Sequence, residues 1–446
     1  MQFPDQTQIK QLVQDILQEA GKLGAHSAEA AVSISAGLSA TVRMGEVETI
    51  EHNRDKGLGV SVFFAGKGGI RKGNASTTDF SPQAVKETVR AACNIAKYTS
   101  EDACAGLAPE SMMATEQPDL DLYHPWAVEP DTAISLAQEC EQVALECDSR
   151  IDNSEGATVN SHEGFRAYGN SHGFVGAYPS TRHGLSCVVI ARDGNNMERD
   201  YWYDSVRDIN DLASASSIGR QAGERTVKRL NARSLSSRQS PVLYSAETAA
   251  SLLGNFIAAI RGGALYRKSS FLLDSLGQPI FPDFVQLEEQ PYLPKAMGSA
   301  SFDGDGVATS RHHIVKDGVV ESYILDAYSA CKLGMQSTGN AGGVHNLVIE
   351  PGPLGFDGLL KQMDTGLLVT ELMGQGVNMV TGDYSRGAAG FWVEKGEIQY
   401  PVHEITVAGN LKQMFKDIVA VGNDVDLRGN TRTGSILLQN MAIAGE

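Results

Sequence analysis

Residues 240–270 read SPVLYSAETAASLLGNFIAAIRGGALYRKSS, and the second half of the chain is organised around this stretch. A short apolar strand, PVLY, runs directly into a segment whose apolar side chains recur at helical spacing. Ser245 stands at the N-cap position and Glu247 in the first turn, where a hydroxyl and a negative charge stabilise a helix. Gly262 and Gly263 are expected to end the helix. The sequence predicts a buried helix that has no His or Cys and no carboxylate after Glu247.

The chain has 446 residues, which is more than one core usually organises, so we expect two domains. A Ser-rich linker at 234–240 predicts the boundary. The N-terminal domain would span residues 1–233, with subparts 1–98 and 129–233, and the C-terminal domain residues 234–446. Helix and strand patterns are mixed without regular alternation, which predicts an α+β fold: two domains with large mixed or antiparallel sheets and flanking helices.

Local patterns place several elements. Glycines separate alternating segments near the N-terminus, which predicts five short strands with turns at Gly37, Gly45, Gly57 and Gly66. A long helix is expected at 208–230 and a short one at 368–372. The segment Lys316-Asp317-Gly318 predicts a hairpin turn.

Composition restricts the class of protein. The net charge of −17 argues against nucleic-acid binding, because phosphate backbones select basic surfaces. No apolar run approaches the ~20 residues that span a bilayer, and residues 1–5 lack the pattern of a signal peptide. The six cysteines form no C-x-x-C pair, and Cys140 and Cys147 lie on an apolar helical stripe, so we expect reduced core thiols. These features predict a cytoplasmic protein without a membrane or nucleic-acid partner.

A zinc hydrolase needs two histidines about one helical turn apart, with a carboxylate beside the first. None of the ten histidines meets this requirement. His162, His172 and His183 recur at ten- and eleven-residue spacing across expected hairpins. They either converge on one sheet face as an unusual metal site or lie separately at the surface.

Other catalytic motifs are incomplete. Residues 169–173 fit G-x-S-x-G, but a strand pattern follows where a nucleophile elbow requires a helix. Asp303 and Asp305 offer two carboxylates in an acidic turn, without the distal ligands of a calcium loop. The sequence contains no phosphate-binding loop and supports neither serine-type hydrolysis nor nucleotide binding.

Glycines cluster beside predicted strands of the second half, at Gly339, Gly342, Gly343, Gly382, Gly387 and Gly390. Glycine allows another backbone to approach closely, so these residues either form turns or border a groove in which a peptide adds as a strand. The further side chains assigned to such a groove are Tyr384, Arg386, His403 and His345.

Several stretches together carry a family resemblance. Residues 383–393 read DYSRGAAGFWV, followed by EIQYPV at 397–402 and ITVAGN at 405–410. With RMGEVE at 43–48 and YILD at 323–326, these stretches resemble the signature of the TldD/PmbA family, also named modulators of DNA gyrase. The resemblance extends over nearly the whole chain.

In the TldD-like branch of this family, a H-E-x-x-x-H helix and a later cysteine hold zinc. Aligned with that helix, the histidine positions fall at Leu253 and Ala258 and the glutamate position at Gly254; the cysteine would fall in residues 426–432, which contain none. Leucine and alanine offer no donor atom to a metal. The resemblance therefore implies the PmbA (TldE) branch, with no cofactor in this chain and zinc in a partner subunit.

The resemblance implies the function of a non-catalytic subunit. This chain would form a heterodimer with a TldD-like zinc metallopeptidase subunit, or a homodimer when alone, and the complex would cleave small unfolded or modified peptides. The alternative is a non-proteolytic, homo-oligomeric module that binds peptides or another protein.

Overall fold

The computed structural model describes residues 5–445. The expectation of no signal peptide rests on residues that lie almost entirely outside this range. In the N-terminal half, amphipathic helices flank a set of long strands. These elements are α1 (Gln6–Lys22), β1 (Ser27–Arg43), β2 (Glu46–Ala65), β3 (Ile70–Thr77), α2 (Pro82–Ala96), α3 (Pro130–Glu146), β4 (Ile151–Asn170), β5 (Val175–Asp193), β6 (Asn196–Val206) and α4 (Ala215–Lys228).

The N-terminal strands form one antiparallel six-stranded sheet in the order β3-β2-β1-β4-β5-β6. Strand β1 lies in its middle and buries alternate residues on one face. The first half of that face packs on α1 and α2 and the second half on α3 and α4. One sheet therefore carries two helix pairs side by side. Strands β1 to β3, before residue 99, and strands β4 to β6, after it, belong to this same sheet.

The predicted five short strands at the N-terminus are wrong. Strand β1 continues through Gly37 and β2 through Gly57, whereas Gly45 and Gly66 do lie in turns. A Cβ at Gly37 would lie 3.0 Å from the carbonyl oxygen of Ser161 on β4. Gly37 permits a close approach of two strands, and the sequence does not distinguish such a glycine from a glycine in a turn.

The predicted helix at 208–230 is correct only in its second part. Residues Ile209–Asp211 form a short 3-10 turn, and α4 begins at Ala215. Ser214 caps α4 by accepting the N–H of Ser217 at 3.2 Å. The serine cap therefore sets the helix start seven residues later than the apolar spacing indicated.

The C-terminal half contains shorter strands and five helices within the described chain. Its elements are β7 (Arg238–Tyr244), α5 (Ala246–Ala259), α6 (Gly262–Tyr266), β8 (Leu287–Glu289), β9 (His312–Lys316), β10 (Val319–Val320), α7 (Ala327–Leu333), β11 (Leu347–Ile349), α8 (Phe356–Met363), β12 (Gly366–Met373), β13 (Asp383–Glu394), β14 (Glu397–Asn410), α9 (Leu411–Lys416), β15 (Ile418–Val421), β16 (Thr431–Arg432) and β17 (Ile436–Ala444).

Two sheets organise this half. One has the order β10-β9-β8-β11-β16, and the other β14-β13-β12-β7-β17-β15. In the second sheet β14 also pairs with β17, which closes five of its strands into a ring. Strand β7 alternates between two cores: Val242 and Tyr244 pack with α5, and Leu243 packs with α8. The fold is thus a mixture of helices and large sheets, as the sequence predicted.

The predicted short helix at 368–372 is wrong, because these residues belong to β12. Leu367 and Val369 face the core that contains α5, and Leu368 faces the core that contains α8. A strand buried on both faces has a continuous apolar run, which resembles a short buried helix in sequence.

The opening stretch forms β7 and α5 as predicted, but α5 ends at Ala259, before the glycines. Gly262 instead begins α6, and its N–H donates to the carbonyl of Ile324 at 2.9 Å. A Cβ at Gly262 would lie 2.2 Å from the hydroxyl oxygen of Ser329. Ser245 occupies the N-cap position, and its hydroxyl lies 3.1 Å from that of Thr248.

The expectation of reduced cysteines is wrong for one pair. Cys104 and Cys331 form a disulfide across 227 residues of sequence, with 5.5 Å between their Cα atoms. The other four cysteines are free, and among them Cys147 is exposed. Spacing along the chain cannot reveal a pair that the tertiary structure brings together. No helix among residues 5–445 is long and apolar enough to cross a membrane.

Candidate functional site

The positions aligned with the two histidines and the glutamate of the zinc helix lie on α5 but on different sides of it. Leu253 is fully buried in the C-terminal core, Ala258 is half-buried, and Gly254 is exposed. A Cβ built on Gly254 would meet no atom within 4 Å. Across residues 5–445, no three His, Cys, Asp or Glu side chains are grouped as metal ligands. Leu253, Gly254 and Ala258 offer no donor atom and therefore do not fit zinc.

An arginine lies in the segment where the resemblance places the missing cysteine. Arg428 donates to both carboxylate oxygens of Asp426, at 2.9 and 2.7 Å, and to Glu247 on α5 at 2.9 Å. Its guanidinium stacks on Trp202 and Tyr203 of β6, with 4.3 and 4.4 Å to the ring centroids. Burial opposes the charge of Arg428, but the two carboxylates outweigh it and raise its pKa. A fixed cation therefore joins the start of α5 to the N-terminal sheet.

Two further arginines extend this contact between the halves. Arg225 on α4 pairs with Glu247 at 3.1 Å and lies over the ring of Trp202. Arg229, one turn later, pairs with Asp200 of β6 at 3.6 Å and, across the halves, with Glu371 of β12 at 2.5 Å. We call the following side chains the interdomain cluster: Glu198, Asp200, Trp202, Tyr203, Arg225, Arg229, Glu247, Glu371, Asp426 and Arg428.

His403, a predicted groove residue, lies at the margin of this cluster. Its Nδ1 is 3.0 Å from Glu198 of β6. The next part of β14 pairs with β17, with Thr406 opposite Ala444 and Ala408 opposite Ala442. A peptide cannot add as a strand at residues 406–408, because β17 already occupies that edge.

The groove residues on β13 are largely used in packing. Tyr384 is 1% exposed, with its hydroxyl 3.4 Å from that of Tyr244. A Cβ at Gly390 would lie 1.8 Å from the carbonyl oxygen of Leu368 on β12, so this glycine permits the approach of a neighbouring strand. Gly387 lies against Met373, which also belongs to β12. The Nε of half-buried Arg386 has no hydrogen-bond partner among residues 5–445. Peptide binding at these residues stays a prediction.

His345 lies two residues before β11 of the other C-terminal sheet and forms a pair with Glu289. The carboxylate oxygen Oε1 of Glu289 accepts the backbone N–H of His345 and lies 2.7 Å from its Nδ1. Asn340 donates to the same oxygen at 3.3 Å. Both partners are buried, with 9% of His345 and 1% of Glu289 exposed. The sequence indicated His345 but not Glu289. The two residues are 56 positions apart and meet only because β8 lies beside β11.

The three evenly spaced histidines do not converge. His162 lies opposite Arg182 and His183 opposite Ser161 on neighbouring strands, so the two rings face opposite sides of the sheet. His183 is fully buried between Ser161 and the carbonyl of His124, and its burial lowers its pKa. The ring of His172 lies in the β4–β5 turn near the carbonyl of Ala108.

The remaining motifs have structural roles. The G-x-S-x-G match at 169–173 lies in the hairpin between β4 and β5, as expected from its flanking pattern. Asp303 organises its own turn by accepting N–H groups of Asp305 and Val307, and it also accepts that of Ala341, each at 2.9 Å. Burial raises the pKa of Asp305 to about 6.

On α5, the positions Leu253, Gly254 and Ala258 carry no side-chain donor atom. Models of three successive domains of one family match the chain: PmbA/TldA metallopeptidase domain 1 at residues 28–96, the central domain at 123–230 and the C-terminal domain at 237–445.

Relatives agree with this result. The chain is 53% identical over 419 residues to Metalloprotease PmbA of Escherichia coli O157:H7, covering 94% of this chain and 92% of that protein. It is 49% identical to a Metalloprotease PmbA homolog of Haemophilus influenzae, covering 98% and 96%. The crystal structure of a candidate modulator of DNA gyrase from Bacteroides thetaiotaomicron superposes with a TM-score of 0.93 at 31% identity, over the full length of both chains. The chain belongs to the PmbA/TldD metallopeptidase family.

Proposed function

We propose that this chain is the PmbA/TldE-like subunit of a two-subunit, TldD–TldE-type zinc metalloprotease complex, located in the cytoplasm, that cleaves small unfolded or modified peptides. The TldD-like partner supplies zinc and the catalytic glutamate. The observation that carries this proposal is α5, where Leu253 and Ala258 present no donor atom in a family of metallopeptidases.

The role of this chain is then to hold a surface against the partner and the peptide. Gly254 leaves one side of α5 open, since a Cβ there would meet no atom within 4 Å. The interdomain cluster fixes the N-terminal end of the same helix through Glu247, which pairs with both Arg225 and Arg428. A rigid, uncovered helix face supports a function in docking.

Reconstitution with a TldD-type protein tests the proposal. The purified chain alone should carry no stoichiometric zinc by mass spectrometry and should not cleave an unstructured peptide. The mixture should elute as a heterodimer in size exclusion with light scattering and should gain peptidase activity. Absence of both the complex and the added activity would refute the proposal.

A matched pair of variants locates the docking surface. Gly254 on α5 and Gly21 on α1 are both exposed helical glycines with open space around their Cα atoms. Gly254→Arg should reduce complex formation at least tenfold, because the long side chain covers the open face of α5. Gly21→Arg should leave complex formation unchanged. Equal behaviour of the two variants would remove α5 from the interface.

The second candidate is a non-proteolytic, homo-oligomeric binding module. It is favoured by the outer edge of β2, because within the described chain β3 pairs with β2 only from Leu58 onward. Residues 46–56 are exposed, and an extended peptide or a second copy can add along such an edge. Concentration-dependent self-association, together with peptide binding and no response to a TldD-type protein, would favour this candidate.

A further inference from the structure

The disulfide between Cys104 and Cys331 joins two parts of the chain that belong to different halves of the fold. Cys104 lies in the irregular segment between α2 and α3, and Cys331 lies on α7. Helix α7 packs on α6, where the rings of Tyr328 and Tyr266 meet edge to face at 5.8 Å. Since α6 follows α5 directly, the bond fastens the N-terminal half to the region where α5 ends.

Polar contacts hold the same two segments together beside the sulfur atoms. Asp102 accepts from Lys332 and from the hydroxyl of Tyr328, each at 2.8 Å. The hydrogen bond from Lys332 is the main reason why the pKa of Asp102 is lowered to about 2. Asp102 and Ile70 also exchange backbone hydrogen bonds at 3.0 Å. These contacts do not involve sulfur, so they keep the two cysteines within reach when the bond is open.

Solvent and small molecules can reach the bond. Cys331 is exposed and Cys104 half-buried, and both line a cavity of about 590 Å³ between the halves. In contrast, Cys93, Cys140 and Cys187 are buried and free. Thiol–disulfide exchange requires access of a thiolate to one of the sulfur atoms, and the structure provides that access at this pair.

We propose that Cys104 and Cys331 are a reversible redox-modification site that fastens the connecting segment to α7 when oxidised. A small disulfide of the glutathione type is the oxidant. The thiolate of exposed Cys331 attacks it, forms a mixed disulfide and releases one glutathione thiol. The thiolate of Cys104 then attacks the Cys331 sulfur and releases the second, so two protein thiols are oxidised and one small disulfide is reduced to two thiols. This inference does not depend on the proposed peptidase function.

Opening the bond loosens the contact without separating the halves, because the Asp102 contacts and the interdomain cluster remain. A cross-link over a long sequence separation stabilises the folded chain relative to the unfolded one. The oxidised protein should therefore melt several degrees above the reduced protein. Amide hydrogen exchange should increase on reduction in residues 99–107 and 327–335 and stay constant in β12.

The test uses the full chain equilibrated in buffers with graded ratios of oxidised to reduced glutathione. After acid quenching and denaturation, a maleimide should label four thiols under oxidising conditions and six under reducing conditions, because six cysteines are present and four are free in the structure. The transition should follow a two-electron dependence on the glutathione ratio.

Variants separate this bond from other thiol chemistry. Cys104→Ser and Cys331→Ser should each abolish the two-thiol transition, leaving at most one glutathione on the remaining cysteine, and should equalise the melting temperatures of the oxidised and reduced protein. Cys147→Ser, at the exposed free cysteine, should lower each label count by one and retain the transition. Six reactive thiols in all buffers, glutathione attached to either cysteine without an internal bond, or a bond that millimolar glutathione cannot reduce would each overturn the proposal.

Discussion

The guanidinium of Arg428 lies 4.3 Å from the ring centroid of Trp202, and through this contact the C-terminal half rests on the N-terminal sheet. The same guanidinium bonds Asp426 and, on α5, Glu247. Burial would raise the pKa of Asp426, but its hydrogen bonds with Arg428 outweigh burial and lower it. The charges are therefore compensated, and removal of one partner leaves the others buried and unpaired.

Replacement of this arginine should weaken the whole chain. Arg428→Lys retains the charge but loses the two-point contact with Asp426 and the stacking on Trp202, so we expect about 2 kcal/mol lower stability in urea unfolding. Arg428→Ala should lose about 3 kcal/mol or more. Arg311, whose side chain is 66% exposed, is the control, and its replacement by alanine should change stability by less than about 0.5 kcal/mol. Similar small losses at both positions would show that the cluster does not join the halves.

Two glycines of the predicted site should respond to alanine in opposite directions. At Gly390 a Cβ would lie 1.8 Å from the carbonyl oxygen of Leu368, so Gly390→Ala should destabilise the protein by about 3 kcal/mol or prevent folding. At Gly254 no atom lies within 4 Å, and Gly254→Ala should stabilise α5 by about 0.5–1 kcal/mol. Thermal unfolding followed by circular dichroism measures both. A tolerated Gly390→Ala would contradict the close approach of β12 and β13.

The half-buried Asp305 should make stability depend on pH. Its folded pKa is raised to about 6, mainly by burial, whereas an unfolded Asp titrates near about 4. The folded state thus holds the proton more tightly, and the contribution of Asp305 to stability decreases as pH rises from about 4 to about 6. Asp305→Asn can still accept the N–H of Ala327 and should be about 1–2 kcal/mol more stable than the unmodified chain above pH 6, with no difference below pH 4.

Asp208 provides a control of opposite sign. Hydrogen bonding by Lys295 lowers its pKa to about 2, so its stabilising contribution is present above about pH 4 and is lost as pH falls toward 2. Asp208→Asn should therefore lower stability at neutral pH. Urea unfolding between pH 3 and 8 measures both variants, and a parallel pH profile for the two would contradict these assignments.

The pair formed by His345 and Glu289 should contribute to the stability of the folded chain. Glu289→Ala leaves the N–H and Nδ1 of His345 and the amide of Asn340 without their common acceptor, at an expected cost of about 3 kcal/mol. Glu289→Gln retains an acceptor oxygen and should lose about 1 kcal/mol. Glu288→Ala, at the neighbouring residue that contacts Arg311, should cost less than about 1 kcal/mol. If Glu288→Ala proved as damaging as Glu289→Ala, the pair would have no special role.

Much of the fold follows from local patterns. Helix α5 lies where apolar spacing and its N-cap position predict it, and the turn of Asp317 and Gly318 has the positive φ angles that a two-residue hairpin requires. Two of the errors share one cause, since they occur where a segment packs on both sides. Gly37 lies in mid-strand against β4, and Leu368 belongs to a strand between two cores. Local periodicity does not report contacts on a second face.

The sequence predicts fewer residues of the candidate site than of the fold. The family resemblance, and not the residue pattern, implies that ligands are missing at Leu253 and Ala258, and both residues lie on the predicted helix. Trp202, Arg225 and Glu289 were not identified as site residues, because each acts through a partner far away in sequence. One available signal was that Arg428 and Asp426 lie close together in the segment where a ligand was absent.

The sequence by itself determined that residues 240–270 form a strand and a helix, and that Leu253, Gly254 and Ala258 on this helix carry no metal donor, because local spacing and side-chain chemistry decide both. The tertiary structure alone decided that Leu253 is buried while Gly254 is open, that Arg428 joins α5 to β6, and that Cys104 meets Cys331. These relationships depend on which segments the two sheets bring together, and no local pattern specifies a contact over such distances along the chain.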